Sequence, residues 1–508
     1  MSELNDKIHA IICDPKLDYR QKARLLSLTA DEQHDYPEIS KELRNALDTG
    51  LICDMFEGHA PYKPRYVLPD YQKFLQQGSA YLELDPATDF DEALAHLMII
   101  YHHVPSVTGL PVFLGYLDQI LLPFVGDLNT EQLTKKMRLF WIQLDRIFPD
   151  AFVHANIGPA DNILCQVILK VDAELQQAVP NLTYMFDPAT SSETMLRQAT
   201  DNICTSNKPH VANFPVHEAV FPTTGFGIVS CYNALPLAGG ANTLVRLNLK
   251  TLAESAASFE EFIRIQLPKA AYLMFELIEA RTAFLHEKSG FFQSFLVQES
   301  LIFEDRFSPM WGVYGMAEAS NLLAKKMGLE GVYGSSEPIN EMSHTISKTL
   351  HDIVKKTPVS YGYQGRALLH SQAGISSDED ASPGTRITYG DEPELLTHIK
   401  AVAGHHTYYE SGISDILSVD ETIKSNPAAM YQLCQGALKA GMREFTANVS
   451  GNDLIRITGY MVKLSEVKKL REQGSRNDTT ALGAEAIDRT GIKNRNPRIG
   501  CIELEGKN

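Results

Sequence analysis

The 508-residue chain has no apolar stretch able to cross a bilayer: the run at residues 120–125, the longest in its first half, is interrupted by Pro123. The opening segment MSELNDKIHAIICDPKLDYRQKARLL mixes both charges and lacks the apolar core of a signal peptide. A cytoplasmic protein without membrane association is therefore expected. Cysteine is sparse. The seven residues at 13, 53, 165, 204, 231, 434 and 501 form no Cys-x-x-Cys pair, which excludes a structural zinc knuckle and a thioredoxin-like site. A cluster-binding Cys-x-x-x-Cys-x-x-Cys is also absent, and the odd count predicts reduced thiols, most of them inert in the core. Basic residues are in deficit. A formal net charge of -17 argues against a nucleic-acid polymer as partner, although a nucleotide would still fit a local basic pocket. No Gly-x-x-x-x-Gly-Lys-Ser/Thr loop is present to cradle phosphates. The histidines lack metal-ligand spacing, and His102-His103 reads as a solvated helix-end pair.

What is present is an ordinary apolar fraction without an internal repeat. Apolar residues recur at helical spacing over residues 19–49, 91–101, 130–146 and 162–179, a helical front with no visible chemistry. The middle changes character. Residues 210–221 and 224–230, rich in β-branched and aromatic side chains, read as strands, and residues 243–249 alternate apolar with polar. Between them, residues 231–242 form a tight loop with Pro236, Gly239 and Gly240, so Cys231 sits in a hairpin finger. Long helices follow over residues 252–283. Residues 376–384, SSDEDASPG, read as an exposed acidic loop open to cleavage, and His405-His406 with Tyr408-Tyr409 as surface loop residues. The organisation expected is a helical N-terminal layer at 1–160, an α/β core carrying the finger at 161–445, and a distinct C-terminal segment at 446–508.

The tail carries the chemistry. Arg456-Ile457-Thr458-Gly459-Tyr460, an Arg-x-x-Gly-Tyr piece in an apolar strand-like setting, resembles the C-terminal signature of glycyl radical enzymes. An α-carbon radical is stabilised by its amide neighbours only if it becomes planar. A side chain crowds that centre, so glycine suits it. Such a buried radical needs a relay to its substrate, and a cysteine S–H bond is weak enough to be made and broken reversibly. Residues 231–253 are similar to the finger and returning strand of anaerobic (class III) ribonucleotide reductases, and residues 312–319 resemble a later barrel segment of the same enzymes. Residues 180–182 with 187–206 resemble the segment preceding the finger. The likeness covers roughly residues 180–470, and the YjjI-type glycyl radical proteins are the nearest subgroup.

The resemblance implies a ten-stranded α/β barrel of two half-barrels, enclosing two opposed loops that carry Cys231 and Gly459. It implies a glycyl radical at Gly459, installed by a separate radical SAM activating enzyme, and no permanently bound cofactor. It further implies a thiyl relay at Cys231, 228 residues earlier, a small-molecule substrate and an anaerobic, oxygen-sensitive life. The tail after Phe445 would swing out for activation, and a homodimer is the base-rate assembly.

Departures narrow the chemistry. Cys231 has Ser230 and Tyr232 beside it, not the second cysteine of the pyruvate formate-lyases. Asn233 stands where the dehydratase and lyase branch has a glutamate base. The four zinc-binding cysteines of the anaerobic reductases are missing, and Thr458 replaces a smaller residue. Glu318, acidic in an apolar setting where burial would raise its pKa, is the expected acid–base helper, with His217 or Glu218 on a barrel strand behind it. Two alternatives stay open: a nucleotide-reductase-like oxidoreductase, and a non-catalytic scaffold on the same fold.

Overall fold

The computed structural model describes residues 2–53, 62–107, 113–148, 150–371, 381–413 and 415–490. Cys501 and residues 376–380 of the acidic loop lie outside them. Its strands, in chain order, are β1 (Ile52–Cys53), β2 (Tyr66–Leu68), β3 (Phe113–Tyr116), β4 (His154–Ile157) and β5 (Asn181–Phe186). Next come β6 (His210–Asn213), β7 (Phe226–Val229), β8 (Asn233–Pro236), β9 (Gly239–Asn248) and β10 (Phe307–Tyr314). The last are β11 (Leu368–His370), β12 (Ile416–Val419), β13 (Glu444–Val449), β14 (Leu454–Arg456) and β15 (Met461–Lys463).

Two sheets form the core. One runs β1-β9-β10-β11 with β2 also on β9; the other runs β12-β13-β6-β5-β4-β3 and is parallel except where β13 meets β6. Helices connect successive strands, as parallel pairing requires. The mixed α/β class is as expected. Hydrogen bonds join the strands as a five-stranded and a six-stranded sheet, and the first third of the chain supplies β1 to β4 to both. These strands, two to four residues long and almost wholly buried, are too short to show a two-residue period against the helical signal around them.

The six-stranded sheet is polar on one face. Opposed pairs Asn156 and Thr183, Thr183 and His210, and Glu444 and Ala212 fix the register, which sets His154, Asn181 and Asn448 on the same side. The alternate residues Leu182, Tyr184, Phe445 and Ala447 join the main hydrophobic core. The polar side is buried except at the half-buried Asn448, and faces the β7–β8 finger and the β14–β15 hairpin.

Local chemistry corrects three sequence readings. The helical pattern over 19–49 is two helices, Tyr19–Asp31 and Lys41–Asp48, parted by a segment containing Pro37 and restarted by the Ser40 cap. The strand at 210–221 stops at Asn213, because Pro215 in the first turn favours the short helix Phe214–Glu218. His217 and Glu218 are therefore helical. His405 and His406, expected at the surface, are fully buried: Ser347 pairs with His405 Nδ1 at 2.8 Å, and Asp415 lies 3.3 Å from His406 Nε2.

Candidate active site

The finger is the antiparallel pair β7–β8, closed by Ser230, Cys231 and Tyr232 between the opposed residues Val229 and Asn233. Ser230 and Tyr232 hold φ of 50° and 59°, left-handed values rare for residues with side chains. Each costs on the order of 1–3 kcal/mol and persists only where surrounding contacts enforce it. Those contacts are present. Asn156 on β4 both donates to the Ile228 carbonyl and accepts its N–H, each at 2.8 Å, while the Tyr116 hydroxyl donates to the Phe226 carbonyl at 2.8 Å. At the tip, the Tyr66 hydroxyl donates to Ser230 Oγ at 3.2 Å, and Ser230 Oγ lies 3.8 Å from Cys231 Sγ.

Opposite the tip, β14 and β15 form a second hairpin, turned by Ile457-Thr458-Gly459-Tyr460 with the Ile457 N–H donating to the Tyr460 carbonyl at 3.1 Å. Gly459 is not in the left-handed region, so turn geometry does not demand glycine. Close approach does. A Cβ at 459 would land on the Cys231 Cα, and would sit 2.6 Å from the Cys231 nitrogen and from the Ser230 carbonyl oxygen. Asn181 donates to the Gly459 carbonyl at 2.8 Å, Tyr232 to the Thr458 carbonyl at 3.2 Å, and Thr458 Oγ1 lies 3.8 Å from Cys231 Sγ. The structure thus brings the two sequence-predicted residues Cys231 and Gly459 into contact.

Arg456 locks this second hairpin. Its fully buried guanidinium donates to Asn181 Oδ1 (3.3 Å), the Tyr232 hydroxyl (3.0 Å) and the Asn207 carbonyl (2.8 Å), tying sheet, finger and hairpin together. Arg456→Ala leaves those acceptors buried and short of a donor, a loss of roughly 3 kcal/mol or more. Limited proteolysis is expected to cut the variant between residues 450 and 465 while the rest of the fold survives; a wild-type digestion pattern would contradict the lock.

Glu318, the expected acid–base helper, is hydrogen-bonded to the end of the acidic loop and the segment after it. It lies in the first turn of the helix Met316–Lys326, half-buried, and accepts from the Ser382 N–H (3.0 Å), the Ser382 hydroxyl (2.6 Å) and the Thr388 hydroxyl (3.2 Å). That segment then reaches the second hairpin, because Arg386 and Tyr389 both donate to the Ile457 carbonyl at 3.2 Å. Ser382 and Gly384 are consequently buried, whereas this end of the acidic loop was expected to be exposed.

The sequence reading missed Glu444. It is fully buried on β13, with its two oxygens 3.3 Å from His210 Nε2 and 2.9 Å from His217 Nε2. Burial pushes its carboxyl well above the usual range, only partly countered by Arg443 and Arg456, and pushes His210 and His217 well below theirs. His154, lowered to about 3 by burial, joins through Thr183, whose hydroxyl lies 2.6 Å from His154 Nε2 and 2.9 Å from His210 Nε2. Glu218, the neighbour considered with His217, is exposed. Among the described residues no group of three or more His, Cys, Asp or Glu is arranged to hold a metal, and no helix is long and apolar enough to cross a membrane.

The chain is similar to known proteins in sequence and in fold. The Escherichia coli (strain K12) protein YjjI is 54% identical over 497 residues, covering 98% of this chain and 96% of its own. Among solved structures, the B12-independent glycerol dehydratase from Clostridium butyricum matches with a TM-score of 0.70 at 11% identity, over 96% of this chain and 88% of that one. An anaerobic ribonucleotide reductase matches at 0.66 and 13% identity, over 94% and 88%. At such identities the likeness is one of fold, the α/β barrel fold of glycyl radical enzymes. The family model for the YjjI-like glycyl radical enzymes matches residues 17–498, and the chain belongs to that family of enzymes.

Proposed function

We propose that the protein stores an unpaired electron on Gly459 and relays it to a thiyl radical on Cys231, which abstracts a hydrogen atom from a small-molecule substrate under anaerobic conditions. The observation that carries this reading is the packing of the Gly459 α-carbon against the backbone of Cys231, where no side chain is admitted. The hydrogen atom moves from Cys231 S–H to the Gly459 α-carbon, then from a substrate C–H to the Cys231 sulfur, and returns by the same route. Burial of Cys231, Thr458 and Tyr460 shields the radical from solvent. Gly459 loses its first hydrogen to a separate radical SAM activase, which requires the hairpin to leave the sheet and the Arg456 lock to open. Glu318 acts as a positioning residue, propping Ser382 and Thr388 so that Arg386 and Tyr389 hold the turn.

The cycle serves an elimination or, with an external electron donor, a reduction. Glycerol and a ribonucleotide, the substrates suggested by the two structural neighbours, separate these when each is offered with and without dithiothreitol. Cys231→Ala tests the relay: its glycyl signal in electron paramagnetic resonance (EPR) is expected at wild-type intensity, with all turnover lost. Retained turnover would rule Cys231 out as the relay, and with it this mechanism.

A further inference from the structure

Four strands of the six-stranded sheet, β4, β5, β6 and β13, each turn a chemistry-bearing side chain toward the finger: His154, Thr183, His210 and Glu444. His217, from the short helix after β6, closes on the far side of the Glu444 carboxyl. All five are fully buried. The row lies against the reactive tip, since the His210 ring packs edge-on to Tyr232 with centroids 4.6 Å apart, and the Ser230 backbone is close enough to be felt by His154.

Buried polar atoms are normally paired. Here both Glu444 oxygens and His217 Nε2 lack an aligned hydrogen-bond partner among the described residues, despite their close approach, and so does His210 Nδ1. The row therefore holds hydrogen-bonding capacity in reserve, most of it around the Glu444 carboxyl, with His154 Nδ1 and His217 Nδ1 as further buried atoms without an aligned partner among the described residues. Its charge state says what that capacity suits. Burial favours the protonated form of Glu444 and the neutral form of both flanking imidazoles, which suits the site to offer one acidic O–H donor between uncharged partners. Such a set recognises the oxygen of a hydroxyl or carbonyl.

We propose that Glu444, flanked by His210 and His217, is a catalytic acid–base residue that hydrogen-bonds a hydroxyl or carbonyl oxygen of the substrate and exchanges a proton with it while the carbon radical exists. This rests on the radical reading of Gly459 and Cys231. Once Cys231 has taken the hydrogen atom, the Glu444 O–H bond breaks, its proton passes to the hydroxyl on the neighbouring substrate carbon, and that C–O bond breaks as water leaves. The proton of the hydroxyl on the radical carbon then returns to the carboxylate, and the Cys231 S–H gives its hydrogen atom back. One proton leaves Glu444 and one returns, so an elimination consumes no outside oxidant or reductant; reduction of a ribonucleotide draws its two electrons from the added dithiothreitol. His210, Thr183 and His154 are positioning residues, which hold the carboxyl against the finger.

Infrared difference spectra of the full-length protein test the site without a known substrate. A protonated-carboxyl C=O band at neutral pH is expected in the wild type and in the exposed control Glu218→Gln, and its loss in Glu444→Gln. A wild type without that band overturns the proposal. In activated enzyme, Glu444→Gln should keep the glycyl EPR intensity and lose roughly 10²–10⁴-fold in turnover of glycerol or the ribonucleotide, whichever the wild type consumes. Unchanged turnover also overturns it. If the wild type takes up no radical, the radical reading fails instead, and the infrared band alone decides Glu444. Should Glu444→Gln not fold, Glu444→Asp, which keeps the acid but retracts it, carries the same comparison.

Discussion

Gly459→Ala is expected to abolish the glycyl EPR signal and to lift the Ile457–Tyr460 turn off the finger. The two effects have separate causes. The added methyl meets the Cys231 Cα and nitrogen and the Ser230 carbonyl, all backbone atoms of a strained tip that cannot rotate aside. The turn must move instead, at roughly 1–3 kcal/mol of overpacking. An alanyl α-radical, in turn, is crowded out of the planarity that stabilises the glycyl one. The displacement shows as faster hydrogen exchange over residues 454–463, with the two sheets protected as before. A glycyl signal of wild-type shape and intensity in this variant would place the radical elsewhere.

The second large effect is acid instability. Burial depresses His154 and His370 to about 3 and pushes His210, His217 and His405 well below the ordinary histidine value. A histidine lowered on folding takes a proton first in the unfolded chain, so its stabilising effect is complete above the unfolded pKa and is lost as pH falls. Glu444, raised well above its usual range, and Asp118, raised to about 7, work in the opposite sense, because the folded state keeps their protons. With His398 and His406 also buried and lowered, the lowered histidines outnumber the raised acids. Between about pH 6 and about pH 5 that predicts a loss of stability, about 1.4 kcal/mol for each net proton that the unfolded chain holds in excess. Urea titrations at these two values measure it; an unchanged midpoint would mean that the histidines gain charge without unfolding.

The two residues now seen in contact, Cys231 and Gly459, were legible because each sits in a local pattern. Arg456 to Tyr460 reads as a motif, and the run before Cys231 as one arm of a hairpin; the return arm, expected at 243–249, is β8 inside the stretch read as loop, and 243–248 belongs to β9. The contact between Cys231 and Gly459 is not local, and only the family resemblance brought them together in advance. Glu444 was illegible for a physical reason. Polar alternation in a strand normally marks a solvent face, as Glu444, Thr446 and Asn448 would in EFTANV, yet here that face is the inner one. A sheet that wraps a finger and a second hairpin turns its polar side to them, as Asn156 does to the finger and Asn181 and Asn448 to the hairpin. Glu318 misled in the opposite direction. Its apolar neighbours suggested a buried acid, whereas its partner Ser382 comes from a segment 64 residues later.

The most direct measurement of the central claim is EPR on the anaerobic protein, activated by a matched radical SAM enzyme, after growth on glycine deuterated at the α-carbon. The account predicts a doublet in unlabelled protein, split by the remaining Gly459 α-hydrogen, that collapses to a singlet on labelling. Brief exposure to air should then cut the chain at residue 459. A signal whose splitting ignores the label, or a chain left whole in air, would contradict it.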